Sequence, residues 1–148
     1  RQKVSLIDRN RFATAEGLRK GGYILGEAEV DNGAPQIILI ATGSEVSLAL
    51  EARETLQSEG IHARVVSMPC WELFEEQSQE YRDEVLPPAV GARLAVEAGV
   101  RQGWDRFVGP KGDVVCLDRF GASAPGDVAL KELGFNVDNV LKHARTLL

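Results

Sequence analysis

The chain is poor in cysteine, since Cys70 and Cys116 are its only two and they do not form a CxxC pair. Disulfide frameworks and structural zinc sites use more cysteines at closer spacing. We therefore interpret both residues as packed thiols of a protein in a reducing compartment. The chain also lacks a leader sequence at its start and any apolar run near the roughly 20 residues of a membrane helix.

A basic excess is missing as well. The chain has 17 Lys and Arg against 22 Asp and Glu, which gives a formal net charge of −5. This charge offers no attraction to nucleic acid or to an anionic membrane surface. We therefore expect a soluble, cytoplasmic protein that binds neither nucleic acid nor membranes.

The length and the remaining composition favour a globular domain. Hydrophobic residues make up 44% and charged residues 26% of the 148 residues, which suits one domain with its own core. The chain begins with Arg1 rather than Met. This start suggests a piece of a longer protein.

The segment Gln36–Ser47, QIILIATGSEVS, predicts a strand that runs directly into a helix. The unbroken apolar run Ile37–Ile40 is typical of a strand buried on both faces, as in a parallel sheet. Ser44 is placed to cap the following helix through its hydroxyl, because the first N–H groups of a helix lack partners. The helix is predicted over Glu45–Glu59, with Gly60 as the left-handed residue that ends it.

The rest of the chain repeats this strand–helix pattern. Further strands are predicted at Gly22–Val30, Ala63–Met68, Arg93–Ala98 and Asp113–Leu117, and further helices at Phe12–Lys20, Trp71–Gln79, Gln79–Val85, Asp127–Leu133 and Val137–Leu147. The glycine-rich segment Gly103–Gly112 is predicted to be a loop. The turn sequence Asp31-Asn32-Gly33 predicts a hairpin, so the first strand should run antiparallel to the next. The order predicts a three-layer α/β/α fold with a mixed five-stranded sheet, mostly parallel with an antiparallel first strand.

Ligands of open α/β sheets favour the crevice at the carboxyl ends of the parallel strands. Gly43 and Ser44 lie there at a helix N-terminus, where free N–H groups could hold an anion. However, the turn is neither GxGxxG nor GxxxxGK[ST], and Glu45 would repel a phosphate. The alternative is a capped helix without a ligand.

Glu97 falls near the end of a predicted buried strand. It could be an acid or base with a shifted pKa, or it could form a structural ion pair with Arg93 or Arg119. The histidines, His62 and His143, have no Ser, Cys or carboxylate at a telling spacing, and we interpret them as surface residues. Metal-ligand spacings are absent from the sequence. These residues alone do not predict an active site.

Five longer segments carry a family resemblance. In chain order they are ILIATGSEVSLALEA, RVVSMPCWELFEEQ, YRDEVLPPAV, RLAVEAG and DRFGASAPGDVALKELGFNVDNV. Together they resemble the C-terminal domain of transketolase. The resemblance covers essentially the whole chain, and its motifs are long and follow the family's order.

The resemblance implies an enzyme that transfers a two-carbon ketol unit between phosphorylated sugars with thiamine diphosphate and Mg²⁺. Its active sites would lie across a homodimer, in two domains that this chain does not contain. Residues 1–21 would then be a connector from the missing pyrimidine-binding domain, and residues 22–148 the C-terminal α/β domain. We expect this chain alone to be inactive and to serve domain packing and dimer support.

The resemblance assigns one substrate-binding residue. Arg1-Gln2 is similar to the arginine of the family's SRQ segment, which helps bind the substrate phosphate. Arg1 is therefore expected to contact substrate once the other domains are present. An alternative function is a small-ligand-binding or regulatory module that uses the strand-end crevice near Ser44.

Overall fold

A computed structural model describes residues 4–30 and 33–148 of the chain. Within these ranges the strands are β1 (Tyr23–Gly26), β2 (Ile37–Ala41), β3 (Ala63–Ser67), β4 (Arg93–Val96) and β5 (Asp113–Val115). The α-helices are α1 (Glu45–Ser58), α2 (Trp71–Glu75), α3 (Gln79–Val85), α4 (Asp105–Val108), α5 (Gly126–Glu132) and α6 (Val137–Thr146), and a 3₁₀ helix spans Ala15–Lys20. The 3₁₀ helix replaces the longer helix predicted over Phe12–Lys20.

The described strands form one sheet in the order β1-β3-β2-β4-β5. β2 lies at its centre and runs parallel to β3 and β4, and β5 runs parallel to β4. β1 is antiparallel, as predicted, but its partner is β3 rather than the next strand in the chain. The predicted hairpin between the first two strands is therefore wrong, because β3 and β4 occupy both edges of β2. Asp31 and Asn32 of the predicted turn lie outside the described residues.

Two buried arginines explain where the chain goes after β1. The Nε of Arg53 donates to the carbonyl oxygen of Glu27 at 3.1 Å. The guanidinium of Arg64, on β3, donates to both carboxylate oxygens of Glu27 at 2.8 and 2.9 Å. These bonds hold the segment after Gly26 where its backbone does not pair with β3. The strand predicted over Gly22–Val30 therefore ends at Gly26.

Apolar side chains fill both faces of the sheet. From β2, Ile37, Leu39 and Ala41 pack with α1 and α6, whereas Ile38 and Ile40 pack with the layer of α2, α3 and α4. All five β2 residues are buried. The unbroken apolar run is thus confirmed as a strand covered on both sides, and the architecture is the predicted three-layer α/β/α fold.

The ends of the helices confirm one prediction and correct another. Gly60 follows α1 with a φ of +80°, as predicted for the residue that ends this helix. Ser44 occupies the N-cap position of α1, but its hydroxyl makes no bond to the first turn. It donates instead to the carboxylate of Glu45 at 2.7 Å. The predicted capping bond is therefore wrong, because the neighbouring carboxylate is a stronger acceptor for this hydroxyl.

One short helix lies in a segment predicted to be a loop. α4 occupies the middle of Gly103–Gly112, between glycines with φ of +92° at Gly103 and +72° at Gly109. Its single turn brings the ring of Phe107 into the core beside Trp104. Burial of two large aromatic side chains outweighs the weak helix preference of the surrounding glycines.

Candidate functional site

The carboxyl ends of β2, β3 and β4 meet at a crevice of about 250 Å³, which we call the strand-end crevice. It is lined by Thr42, Met68, Pro69, Cys70, Trp71, Glu72, Glu97 and Trp104. The parallel arrangement brings these segments together, as predicted, because all three strands point the same way. The segment after β5, Asp118–Gly121, is not part of the lining.

Glu97 is the carboxylate at the wall of this crevice. Partial burial raises the pKa of Glu97, and the nearby carboxylate of Glu45 raises it further. The predicted ion pair with Arg93 is wrong, because the Arg93 guanidinium donates to backbone carbonyls, including those of Val90 and Phe107. Among residues 4–30 and 33–148, Arg119 forms no ion pair with Glu97 either. Glu97 therefore presents a carboxylate that no cation of the described residues neutralises.

Gly43 and Ser44 are in place at the start of α1, but their surroundings are acidic. Gly43 adopts a φ of +57°, and the hydroxyl of Ser44 is bonded to Glu45. Glu45 is 4% exposed and lies near Glu97. An anion here would meet these carboxylates, so the geometry gives no support to the anion site, which stays a prediction. The alternative function of a ligand-binding or regulatory module near Ser44 gains no support either.

Two tryptophans form the aromatic part of the strand-end crevice. The rings of Trp71 and Trp104 lie edge to face with centroids 5.0 Å apart, and the guanidinium of Arg106 lies 5.0 Å from the Trp71 ring. Aromatic faces and carboxylates together suit positively charged groups better than phosphates. Chemically, the strand-end crevice can accept a cationic or apolar group.

The cysteines do not supply a nucleophile to this crevice. The thiol of Cys70 lies 3.4 Å from a carboxylate oxygen of Glu72. Burial raises the pKa of the Cys116 thiol, and the adjacent Asp118 adds to that rise. A reactive thiolate needs a positive environment that lowers its pKa. Both cysteines fit the interpretation as partly packed thiols.

His143, predicted to be an ordinary surface residue, is partly exposed and has a carboxylate partner from a distant part of the chain. Its Nδ1 lies 2.6 Å from a carboxylate oxygen of Asp113. The other oxygen of Asp113 accepts from Arg101 at 3.2 Å. This pair joins α6 to the start of β5, at the opposite end of the sheet from the strand-end crevice. The partners lie 30 residues apart in the sequence, so no short spacing could have indicated the contact.

Arg1 lies outside the described residues, so its substrate contact stays a prediction. Among the residues that the structure does describe, no cluster of three or more His, Cys, Asp or Glu is arranged to hold a metal ion. No described helix is both long enough and apolar enough to cross a membrane.

Comparison with known proteins identifies one family. Residues 21–136 match the model of the transketolase-like TK C-terminal domain. The chain is 52% identical over 148 residues to a transketolase of Geobacillus stearothermophilus and 55% identical to one of Halalkalibacterium halodurans, covering all of this chain and 22% of each relative. A solved transketolase from Leishmania mexicana superposes with a TM-score of 0.79 at 42% identity, covering 89% of this chain and 18% of that one. The chain thus spans about a fifth of the length of the relatives it matches.

Proposed function

Because the chain belongs to the transketolase family as its C-terminal domain, we propose that it works as one domain of a complete transketolase. The observation that carries this proposal is the length of the match. All 148 residues align at 52% identity, yet they correspond to 22% of the Geobacillus stearothermophilus relative. A complete enzyme of this kind needs the other domains for its chemistry.

The complete enzyme would transfer a two-carbon ketol unit between phosphorylated sugars, in the cytoplasm and as a homodimer. Thiamine diphosphate and Mg²⁺ would supply the chemistry that stabilises the transferred unit. The described residues do not fit this cofactor. The strand-end crevice carries Glu72 and Glu97, which would repel a diphosphate, and no metal-binding cluster is found among residues 4–30 and 33–148. We therefore assign cofactor binding to the rest of the enzyme and derive no catalytic step from this domain.

The proposed role of this domain is packing against the other domains and support of the dimer. Large apolar side chains that a free domain would expose to water support that role. Leu6 is 99% exposed and Phe120 is 97% exposed, and Val4 and Val100 are exposed as well. Such side chains gain free energy when a neighbouring domain covers them. Arg1, at the start of the chain, would contribute a substrate contact at that junction, since a guanidinium can bind a phosphate through two parallel hydrogen bonds.

The isolated chain provides a test of the proposal that cofactor binding and catalysis reside in the rest of the enzyme. We expect no ketol transfer when it is supplied with sugar phosphates, thiamine diphosphate and Mg²⁺. We also expect calorimetry to detect no binding of thiamine diphosphate. Turnover that depends on thiamine diphosphate in the pure chain would contradict the proposal, because the chemistry would then reside in these residues.

A further inference from the structure

A second cavity, of about 300 Å³, lies between α2, α3, α4 and the start of β4. Three arginines line it, Arg82, Arg93 and Arg106, together with the carboxylates of Glu75 and Asp83. We call it the arginine cavity. It shares no lining residue with the strand-end crevice.

Both carboxylates of the arginine cavity already have partners. Glu75 accepts from Nη1 of Arg106 at 2.6 Å, and Asp83 accepts from the side-chain amide of Gln79 at 2.6 Å. Three guanidinium groups and two carboxylates leave a positive excess here, although the whole chain has a net charge of −5. The lining therefore has one more positive than negative side chain, opposite in sign to the net charge of the whole chain.

Arg93 provides a fixed positive charge in the wall. Its three guanidinium nitrogens donate to the carbonyl oxygens of Val90, Phe107, Leu86 and Pro87. Among residues 4–30 and 33–148 it forms no ion pair with a carboxylate. The carbonyl dipoles hold the guanidinium in position, and the carboxylate of Asp83 acts on its charge from a distance without an ion-pair contact.

Arg82 has an unused donor. Its Nε is buried and has no hydrogen-bond acceptor among the described residues. Its Nη2 donates to the side-chain oxygen of Gln79, three residues earlier, and the side chain lines the cavity. A buried donor without a partner in a folded protein calls for an ion or a water molecule. Arg106 lies across the cavity, with its Nε on the carbonyl oxygen of Gly103.

We propose that the arginine cavity binds the phosphate group of a small phosphate monoester or inorganic phosphate. Arg82 and Arg106 would donate to the phosphate oxygens, because a planar guanidinium matches two oxygens of a phosphate at once. Arg93 would add charge without changing its own hydrogen bonds. The apolar wall of Phe74, Leu86 and Phe107 would contact the carbon part of a monoester. This inference does not depend on the proposed function.

The test follows the Nε–Hε signals of the arginines by NMR during titration of the ¹⁵N-labelled 148-residue chain. One arm uses inorganic phosphate and the other uses glycerol phosphate, at constant ionic strength. We expect the Arg82 and Arg106 signals to shift and saturate, while the signal of exposed Arg19 follows only the bulk salt. Tighter binding of glycerol phosphate would identify a monoester as the ligand, and equal binding would identify free phosphate.

Two variants and one control make the outcome decisive. Arg82→Gln and Arg106→Gln should each weaken phosphate binding by about tenfold or more, the effect of losing one charge-assisted bond. Arg19→Gln should leave the affinity unchanged, and well-dispersed amide spectra would show that each variant is folded. Shifts that fail to saturate, or equal weakening by Arg19→Gln, would overturn the proposal and leave water as the partner of the Arg82 Nε.

Discussion

The contact between Glu27 and Arg64 offers a quantitative test of what holds the segment after β1 against β3. Arg64 is 8% exposed and donates to four acceptors, the two carboxylate oxygens of Glu27 and the carbonyl oxygens of Glu84 and Val85. It therefore joins the segment after β1, strand β3 and the end of α3. We consider the substitutions Arg64→Met and Glu27→Gln.

The expected magnitudes differ because the two residues differ in burial. Arg64→Met removes the donor of the Glu84 and Val85 carbonyls, and a buried acceptor without a partner costs about 1–3 kcal/mol. Loss of the ion pair adds less than about 1 kcal/mol, because the Glu27 side chain is 54% exposed and screened by water. We expect Arg64→Met to lower the free energy of unfolding by about 3 kcal/mol in total. Glu27→Gln keeps both carbonyl bonds and should cost about 1 kcal/mol.

Urea unfolding, followed by the fluorescence of Trp71 and Trp104, measures both free energies. Thermal unfolding should show Tm decreases of about 6–12 °C for Arg64→Met and about 2–4 °C for Glu27→Gln. The exposed Arg19→Gln serves as a control and should change neither value. Equal destabilisation by Arg64→Met and Glu27→Gln would refute the reasoning, since the carboxylate rather than the carbonyls would then carry the stabilisation.

Three further predictions concern other parts of the fold. Burial acts to raise the pKa of Asp113, but hydrogen bonds from His143 and other donors outweigh burial and lower this pKa in the folded state. The resulting stabilisation is present at neutral pH and is lost as the pH falls through the lowered pKa. His143→Asn should therefore reduce Tm at pH 7 more than at pH 2, and an equal reduction at both values would contradict this linkage. The raised pKa of Glu97 has the opposite effect on stability, because ionising Glu97 in the folded state becomes costly as the pH rises through the ordinary glutamate range. Glu97→Gln should therefore raise Tm at pH 7 and leave it unchanged at pH 3, and a lower Tm at pH 7 would show that Glu97 has a stabilising partner. Gly21 has a φ of +76°, and a Cβ there would clash with the carbonyl oxygen of Cys70. Gly21→Ala should therefore lower the free energy of unfolding, measured in urea, by about 2 kcal/mol or more. Gly60→Ala should lower it less, because the added atom meets open space.

The parts of the fold that depend on local patterns could be predicted from the sequence. The apolar run Ile37–Ile40 and the glycine that ends α1 act through burial and backbone conformation alone, and both were confirmed. The parallel strands followed from the intervening helices. The family resemblance was confirmed by the match over residues 21–136.

Features that depend on distant contacts could not be predicted. The segment after β1 is held by Arg53 and Arg64, whose bonds to Glu27 span 26 and 37 residues. The contact between His143 and Asp113 likewise joins separate elements. No periodicity or turn signal records such contacts, so the sequence predicted a hairpin and an isolated surface histidine instead.

The position of the strand-end crevice could be predicted from the sequence, but the charge of its lining could not. The carboxyl ends of three strands do form a crevice. The sequence allowed an anion site at Gly43 and Ser44, because a helix N-terminus attracts negative charge, or a capped helix without a ligand. The structure shows that the Ser44 hydroxyl donates to Glu45 and that Glu97 lies nearby, with no ion pair to a cation among residues 4–30 and 33–148. The charge of the crevice depends on which side chains point into it, and the sequence does not reveal side-chain direction.

The most direct test of the proposed role is a domain replacement in the transketolase of Geobacillus stearothermophilus. The part of that enzyme that aligns with this chain, 22% of its length, is exchanged for these 148 residues, and ketol transfer is measured with thiamine diphosphate and Mg²⁺. We predict activity in the chimera and none in the host enzyme truncated at the same point. Full activity of the truncated host, or a folded chimera without any activity, would contradict the role of this chain as a working C-terminal domain of transketolase.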